Sequence, residues 1–134
     1  MGNRRYIITK TFRFDSAHQL FKMPADHPCH QLHGHTYTVD VTLSSLGLDD
    51  RDMVLDLNVF RELKSVLDHA NLNDVIPSEY GQPTSEVLCK YIWDWIDRQI
   101  WERLGPEGRK EVAIGRVGVQ ETPNNRTELV LEVE

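Results

Sequence analysis

Two stretches of strict two-residue alternation frame the first third of this chain, and between them they leave little freedom in how it can fold. From Tyr6 to Phe14, Tyr6, Ile8, Phe12 and Phe14 fall on one side and Thr9, Thr11 and Arg13 on the other, with Lys10 interrupting the apolar side. From Thr36 to about Leu46, Tyr37, Val39, Val41 and Leu43 alternate with Thr38, Asp40 and Thr42. That is the period of half-buried strands. The polar, Pro-containing connection between them is long for a compact domain, and such connections usually carry function.

The connection holds the run Cys29-His30-Gln31-Leu32-His33-Gly34-His35, and His18 precedes it. Strand side chains alternate faces, so His33 and His35, two apart at the mouth of a strand, point to the same side. His18 would complete a set of three imidazoles. Zinc on three neutral imidazoles keeps a coordination position open for water or substrate, whereas structural zinc has a closed, Cys-rich shell. The arrangement therefore reads as a catalytic metal site, with His27 and His30 as ordinary solvated or core histidines. Cys29 has two readings: a fourth ligand that closes a structural site, or a reactive thiolate whose pKa is lowered by the adjacent metal charge.

The rest of the chain supplies two helices and two more strands. Phe60, Leu63 and Leu67 fall at helical spacing over Asn58 to Leu67, with Asp56 or Asn58 available as cap. A longer helix opens at Pro83-Thr84-Ser85-Glu86 with Thr84 as N-cap, carries Leu88, Tyr91, Ile92, Trp95 and Ile96, and should end at Gly105-Pro106. Strands follow from Val112 to Glu121 and from Thr127 to Val133. The order β-β-α-α-β-β predicts an α+β fold: an antiparallel four-stranded sheet with both helices on one face. Such a sheet has two bare edges, and pairing with copies of itself in a closed ring would satisfy them.

The length of 134 residues suits one domain spanning 1–134, and an apolar content of 40% argues against disorder. A net charge of -6 with no basic run beyond Arg4-Arg5 argues against nucleic-acid binding. Two cysteines, Cys29 and Cys89, do not make a disulfide framework, and no stretch reads as a signal or membrane span, so a cytoplasmic, reducing setting is expected.

Three further groups can carry chemistry. Asp68-His69 follows the first helix; alone it reads as a polar helix end, but beside a cysteine it is a candidate proton partner, with Asp68 orienting His69. Glu121 shares parity with Val117 and Val119, and a carboxylate on an apolar face calls for a partner. The paired N–H donors of a pterin or guanine edge would supply one, unless the sheet has already ended there. Thr84 and Ser85 can offer backbone groups to a ligand at the helix start.

Taken together, Phe14-Asp15-Ser16-Ala17-His18, Cys29-His30-Gln31-Leu32-His33-Gly34-His35, Leu67-Asp68-His69, Pro83-Thr84-Ser85-Glu86 and Gln120-Glu121-Thr122 resemble the 6-pyruvoyltetrahydropterin synthase family over nearly the whole chain. The wording is most similar to the bacterial branch that makes 6-carboxy-5,6,7,8-tetrahydropterin for 7-deazaguanine and queuosine biosynthesis. The resemblance implies zinc on His18, His33 and His35, Cys29 as acid/base with Asp68 and His69 as relay partners, and Glu121 anchoring the pterin. It implies the tunnelling fold (T-fold), in which trimers close their sheets into a barrel and stack as a homohexamer with shared active sites. The substrate would be 7,8-dihydroneopterin triphosphate, cleaved with release of triphosphate and acetaldehyde. Pro28 and Gln31 stand where relatives can carry cations, leaving Lys22, Arg13 and Arg126 as candidates for the triphosphate. Two other functions fit the same residues: a pyruvoyl-forming synthase, which keeps the side-chain carbons, and a zinc-stabilised pterin-binding module without turnover.

Overall fold

In the computed structural model, residue 2 and residues 4–132 are described, with residue 110 described by its backbone alone. Val133, the last residue of the expected final strand, lies outside the described residues, as do Met1, Asn3 and Glu134. Strands β1 (Tyr6–His18) and β2 (His33–Ser45) are followed by helix α1 (Asn58–Leu67), the two-residue strand β3 (Ala70–Asn71) and the single turn α2 (Leu72–Val75). Helix α3 (Ser85–Glu111) leads to β4 (Val112–Thr122) and β5 (Asn125–Val130). The sheet order is β3-β1-β2-β4-β5.

Four of these strands form the expected antiparallel sheet, and β3 adds a fifth that runs parallel to β1 through Ser16 and Ala17. A two-residue strand is too short for periodicity to reveal; it is held partly by the Ser16 hydroxyl, which donates to the Ala70 carbonyl at 2.6 Å. The first two strands are also longer than their apolar pattern. Asp15-Ser16-Ala17-His18 carries no hydrophobic signal, yet it continues the β1 ladder as far as a direct His18–His33 pair. Register, once set by Phe12 against Val39 and Phe14 against Tyr37, propagates into this polar end.

One face of the sheet packs on the helices. Phe12, Phe14, Tyr37, Val39, Val41 and Leu43 meet Val59, Phe60, Leu63 and Leu67 of α1 and Leu88, Ile92, Ile96 and Ile100 of α3, all buried. Tyr6, expected on this face, is half exposed, as is its neighbour Ile7. Between Leu43 and Thr42 the β2–β4 register shifts by one residue, a bulge that lets both Ile114 and Val117 be buried. Val117, Val119 and Glu121 all lie beyond this bulge and share parity, and the β4–β5 register shifts again between Gln120 and Thr122.

Gly105 breaks α3 with φ 70°, as the Gly-Pro pair suggested, but helical turns resume over 106–111 and deliver the chain to β4. Proline suits the first turn of a new helix segment, where its missing N–H has no bond to make. On the opposite sheet face Asp40 points outward, as expected, yet it is only 8% exposed. Arg116 and Arg126 close over it, at 3.1 and 2.5 Å, and both guanidiniums also reach Glu128. Beyond the β3 contact, β1 presents an open edge, and β5 presents the other. Among the described residues no helix is long and apolar enough to cross a membrane.

Candidate metal centre

The polar end of the β1–β2 ladder builds the site. His18 lies directly opposite His33 and Ser16 opposite His35, so all three imidazoles stand on the helix-facing side of the sheet. Their rings meet edge to face with centroids 4.5 Å apart for His18–His33, 4.9 Å for His33–His35 and 5.1 Å for His18–His35. One nitrogen from each falls within 4.8 Å of the other two.

Backbone carbonyls fix which nitrogen this is. His18 Nδ1 is 2.7 Å from the Pro83 carbonyl and His33 Nδ1 is 2.7 Å from the Gln31 carbonyl. A carbonyl oxygen only accepts, so both Nδ1 atoms carry their hydrogen and both Nε2 atoms present a lone pair. Those two Nε2 atoms are 3.0 Å apart. Two lone pairs at that distance repel unless a proton or a cation lies between them. Carbonyl partners of this kind orient metal-ligating histidines and settle their tautomer. Burial, opposed by the Pro83 carbonyl and Glu121 and aided by the other two imidazoles, holds His18 below its ordinary pKa, which favours the neutral ligand form. The donor set fits zinc.

Glu121 joins this group from β4. Its Oε1 is 3.5 Å from His18 Nε2 and 3.7 Å from His35 Nε2, and its side chain is 23% exposed. Strand β4 runs to Thr122, so the carboxylate belongs to the sheet's buried face. Beside it is Tyr37, which stacks on Phe14 at 5.0 Å and turns its ring edge-on to His18 and His35. Its hydroxyl is buried without a hydrogen-bond partner among the described residues. Burial, and secondarily the Glu121 charge, pushes the phenol up, so it stays an O–H donor.

The remaining candidates are distributed around this centre. Cys29 sits in a short 3-10 turn, Pro28–His30, half-buried; its N–H donates to His27 Nδ1 at 3.0 Å, and its thiol makes no hydrogen bond among the described residues. The convergent nitrogens form their cluster without the Cys29 sulfur. Cys89 is of another kind: buried in α3, with its thiol against the Val117 and Thr127 carbonyls, it is pushed up to about 12 mainly by burial.

Asp68 and His69 are clamped to β1. Asp68 Oδ1 accepts the Asp15 N–H at 2.9 Å, and the His69 N–H donates to the Asp15 carbonyl at 2.7 Å. His69 Nε2 is 3.5 Å from Asp68 Oδ2, and the imidazole is 79% exposed. It borders an open surface depression together with His35, Thr36 and Asp15. Thr84 caps α3 by accepting the Val87 N–H at 3.2 Å, and Ser85 opens that helix half-exposed. Of the cations considered for a triphosphate, Arg126 is engaged by Asp40 and Glu128. Arg13 lines an exposed groove with Lys10, Arg61 and Lys64, and the Lys22 backbone N–H bonds Gln82.

Sequence reasoning left out the Pro83 and Gln31 carbonyls and the Tyr37 hydroxyl. The carbonyls are invisible in side-chain identity. Tyr37 had a signal, an aromatic with a polar tip two residues from His35, but its alternation assigned it wholly to the core.

The sequence profile of the 6-pyruvoyl tetrahydropterin synthase family matches residues 7–132. The 6-carboxy-5,6,7,8-tetrahydropterin synthase of Aquifex aeolicus is 28% identical, over 92% of this chain and 97% of that protein. The enzyme of the same name from Synechocystis is 35% identical over 66% of this chain and 72% of its own length. Among solved structures, the 6-pyruvoyl tetrahydropterin synthase of Caenorhabditis elegans has the same fold, with a TM-score of 0.72 at 21% identity over 96% of this chain and 97% of that one.

Proposed function

The chain belongs to the 6-pyruvoyl tetrahydropterin synthase family, and from that premise we propose that it is a zinc-dependent lyase converting 7,8-dihydroneopterin triphosphate and one water to 6-carboxy-5,6,7,8-tetrahydropterin, acetaldehyde and triphosphate in 7-deazaguanine and queuosine biosynthesis. A pterin-processing activity follows from the family; this particular product rests on the relatives that carry its name. The observation that carries the zinc reading is the pair of Nε2 lone pairs 3.0 Å apart in His18 and His33, each imidazole oriented by a carbonyl behind it.

His18, His33 and His35 would hold the zinc, which when bound supplies a Lewis acid beside the substrate's side-chain oxygens. Glu121 accepts the two N–H donors of the pterin amino-amide edge, and this fixes the ring with its side chain toward the imidazoles. Cys29 moves the proton at the adjacent carbon. Asp68 and His69 complete the relay, His69 exchanging the proton while Asp68 stabilises its imidazolium. Thr84 and Ser85 border the ring at the start of α3. In a single chain His69 is exposed and the Cys29 thiol makes no hydrogen bond among the described residues, so the relay is proposed to form between neighbouring chains of a homohexamer built as a dimer of trimers. A cytoplasmic setting would keep both thiols reduced.

The test is mass spectrometry of the products formed from dihydroneopterin triphosphate by the zinc-loaded protein. Acetaldehyde with the carboxy product supports the proposal. A pyruvoyl product retaining the side-chain carbons assigns the chain to the other branch. Absence of turnover in a protein that loses zinc on Cys29→Ala identifies a structural pterin-binding module.

A further inference from the structure

Beside the three imidazoles stand a donor and an acceptor that make no hydrogen bond among the described residues. Tyr37 is 1% exposed, and its hydroxyl has no partner among them. A phenylalanine would keep the stack on Phe14 and the edge contacts with His18 and His35, so packing does not call for the oxygen. A buried hydroxyl left unpaired lowers stability relative to that phenylalanine, and a polar atom in this condition demands a reason.

The reason lies one strand away. Strand β2 pairs Thr38 with Gln120 at the end of their ladder, and β4 runs on to Thr122. Tyr37 and Glu121 both lie against His18 and His35, and the Glu121 charge acts on the Tyr37 phenol. Glu121 itself accepts no hydrogen bond among the described residues; the imidazole nitrogens beside it are His18 Nε2, whose hydrogen is on Nδ1, and His35 Nε2, at 3.5 and 3.7 Å. Those nitrogens are the ones a metal ion takes. Once they are coordinated they cannot offer a proton to Glu121, and the carboxylate is left with the Tyr37 hydroxyl as its neighbouring donor.

We propose that Tyr37 is a positioning residue for Glu121: with the imidazoles occupied by zinc, its hydroxyl donates to the carboxylate and sets the angle at which the remaining lone pairs face the ligand. An ionised carboxylate has about four lone-pair sites, so one bond from Tyr37 leaves enough for both N–H donors of an amino-amide edge. The consequence for ligand binding rests on the pterin reading of Glu121; the link between Tyr37 and Glu121 does not.

The experiment uses full-length protein, wild type, Tyr37→Phe, Glu121→Ala and the double variant, each unfolded thermally with and without saturating zinc. Tyr37→Phe should raise the melting temperature of the metal-free protein, where the hydroxyl is unpaired, and lower that of the zinc-loaded protein. In the Glu121→Ala background this reversal should disappear. A shift of the same sign with and without zinc, or a reversal that persists without Glu121, overturns the proposal. Equilibrium binding of neopterin to the zinc-loaded protein forms the second arm, with Tyr37→Phe expected to weaken it about tenfold. If the zinc-dependent coupling is present and neopterin affinity is unchanged or absent, the positioning of Glu121 stands and the pterin reading falls.

Discussion

His18 and His33 face each other across the β1–β2 ladder with their Nε2 atoms 3.0 Å apart, while each donates its Nδ1–H to a carbonyl behind it. The geometry leaves a cation as the natural occupant. Metal analysis of purified protein is expected to give about one zinc per chain, lost on His33→Ala or His35→Ala and retained on Cys29→Ala, whose turnover should be gone. Loss of zinc in Cys29→Ala, in step with the histidine variants, would return the thiol to the ligand shell.

Glu121 is expected to matter for ligand more than for the fold. Glu121→Gln keeps the shape and one acceptor but loses the charge-assisted pair, which should weaken pterin binding by about 1.5 to 3 kcal/mol. Isothermal titration with an unreactive pterin measures this. Unaltered affinity would remove Glu121 from the ligand site.

The two cysteines should behave differently toward alkylation. Cys89 is pushed up to about 12 and is buried, so its thiolate fraction at pH 8 is on the order of one in ten thousand. Iodoacetamide should label Cys29 in the native protein and reach Cys89 only after denaturation, as peptide mass mapping would reveal. Early native labelling of Cys89 would contradict the packing of α3 against β4.

Proton relay across a subunit boundary predicts complementation. Cys29→Ala and His69→Ala proteins should each be inactive alone, and hexamers reassembled from equal parts of the two should regain on the order of a quarter of wild-type sites. Co-purification of differently tagged chains must first establish exchange. If chains exchange and activity stays at the level of the single variants, the relay lies within one chain or excludes His69.

On the opposite face, a methyl at position 118 would land on the Arg126 guanidinium and lie 2.7 Å from Asp40 Oδ1. The guanidinium can move, but only by releasing a nearly buried carboxylate. Gly118→Ala is therefore expected to cost about 1 to 2 kcal/mol of stability, read by urea unfolding, with zinc content unchanged.

The apolar part of the fold was legible because period-2 and period-3.6 patterns are local. Tyr37, Val39, Val41 and Leu43 gave the sheet face, and Phe60, Leu63 and Leu67 gave the helix that covers it. The polar end of β1 was not legible: Ser16, Ala17 and His18 belong to a strand only because His33 to Thr36 lie across from them. The same limit hid the Asp40–Arg116–Arg126 network, whose members are brought together by three strands. For the candidate site, residue identity singled out the histidines, which the fold brings together, and Glu121, whose parity with Val117 and Val119 matches its position beside them. Parity could not say that two of those imidazoles would lie within 4 Å of its carboxylate, since that depends on how far β1, β2 and β4 each extend.

The backbone at His69, φ 53°, sits in the left-handed region, which glycine and asparagine adopt at less cost than a histidine. Its side chain, nearly free of contacts apart from Asp68, gives nothing back to the fold for holding that conformation. Selection for heat resistance and selection for turnover should therefore diverge here. A library at position 69 screened only for melting temperature should enrich Gly or Asn, while one screened for product should return His, so this single residue separates what the chain needs to stand from what it needs to work.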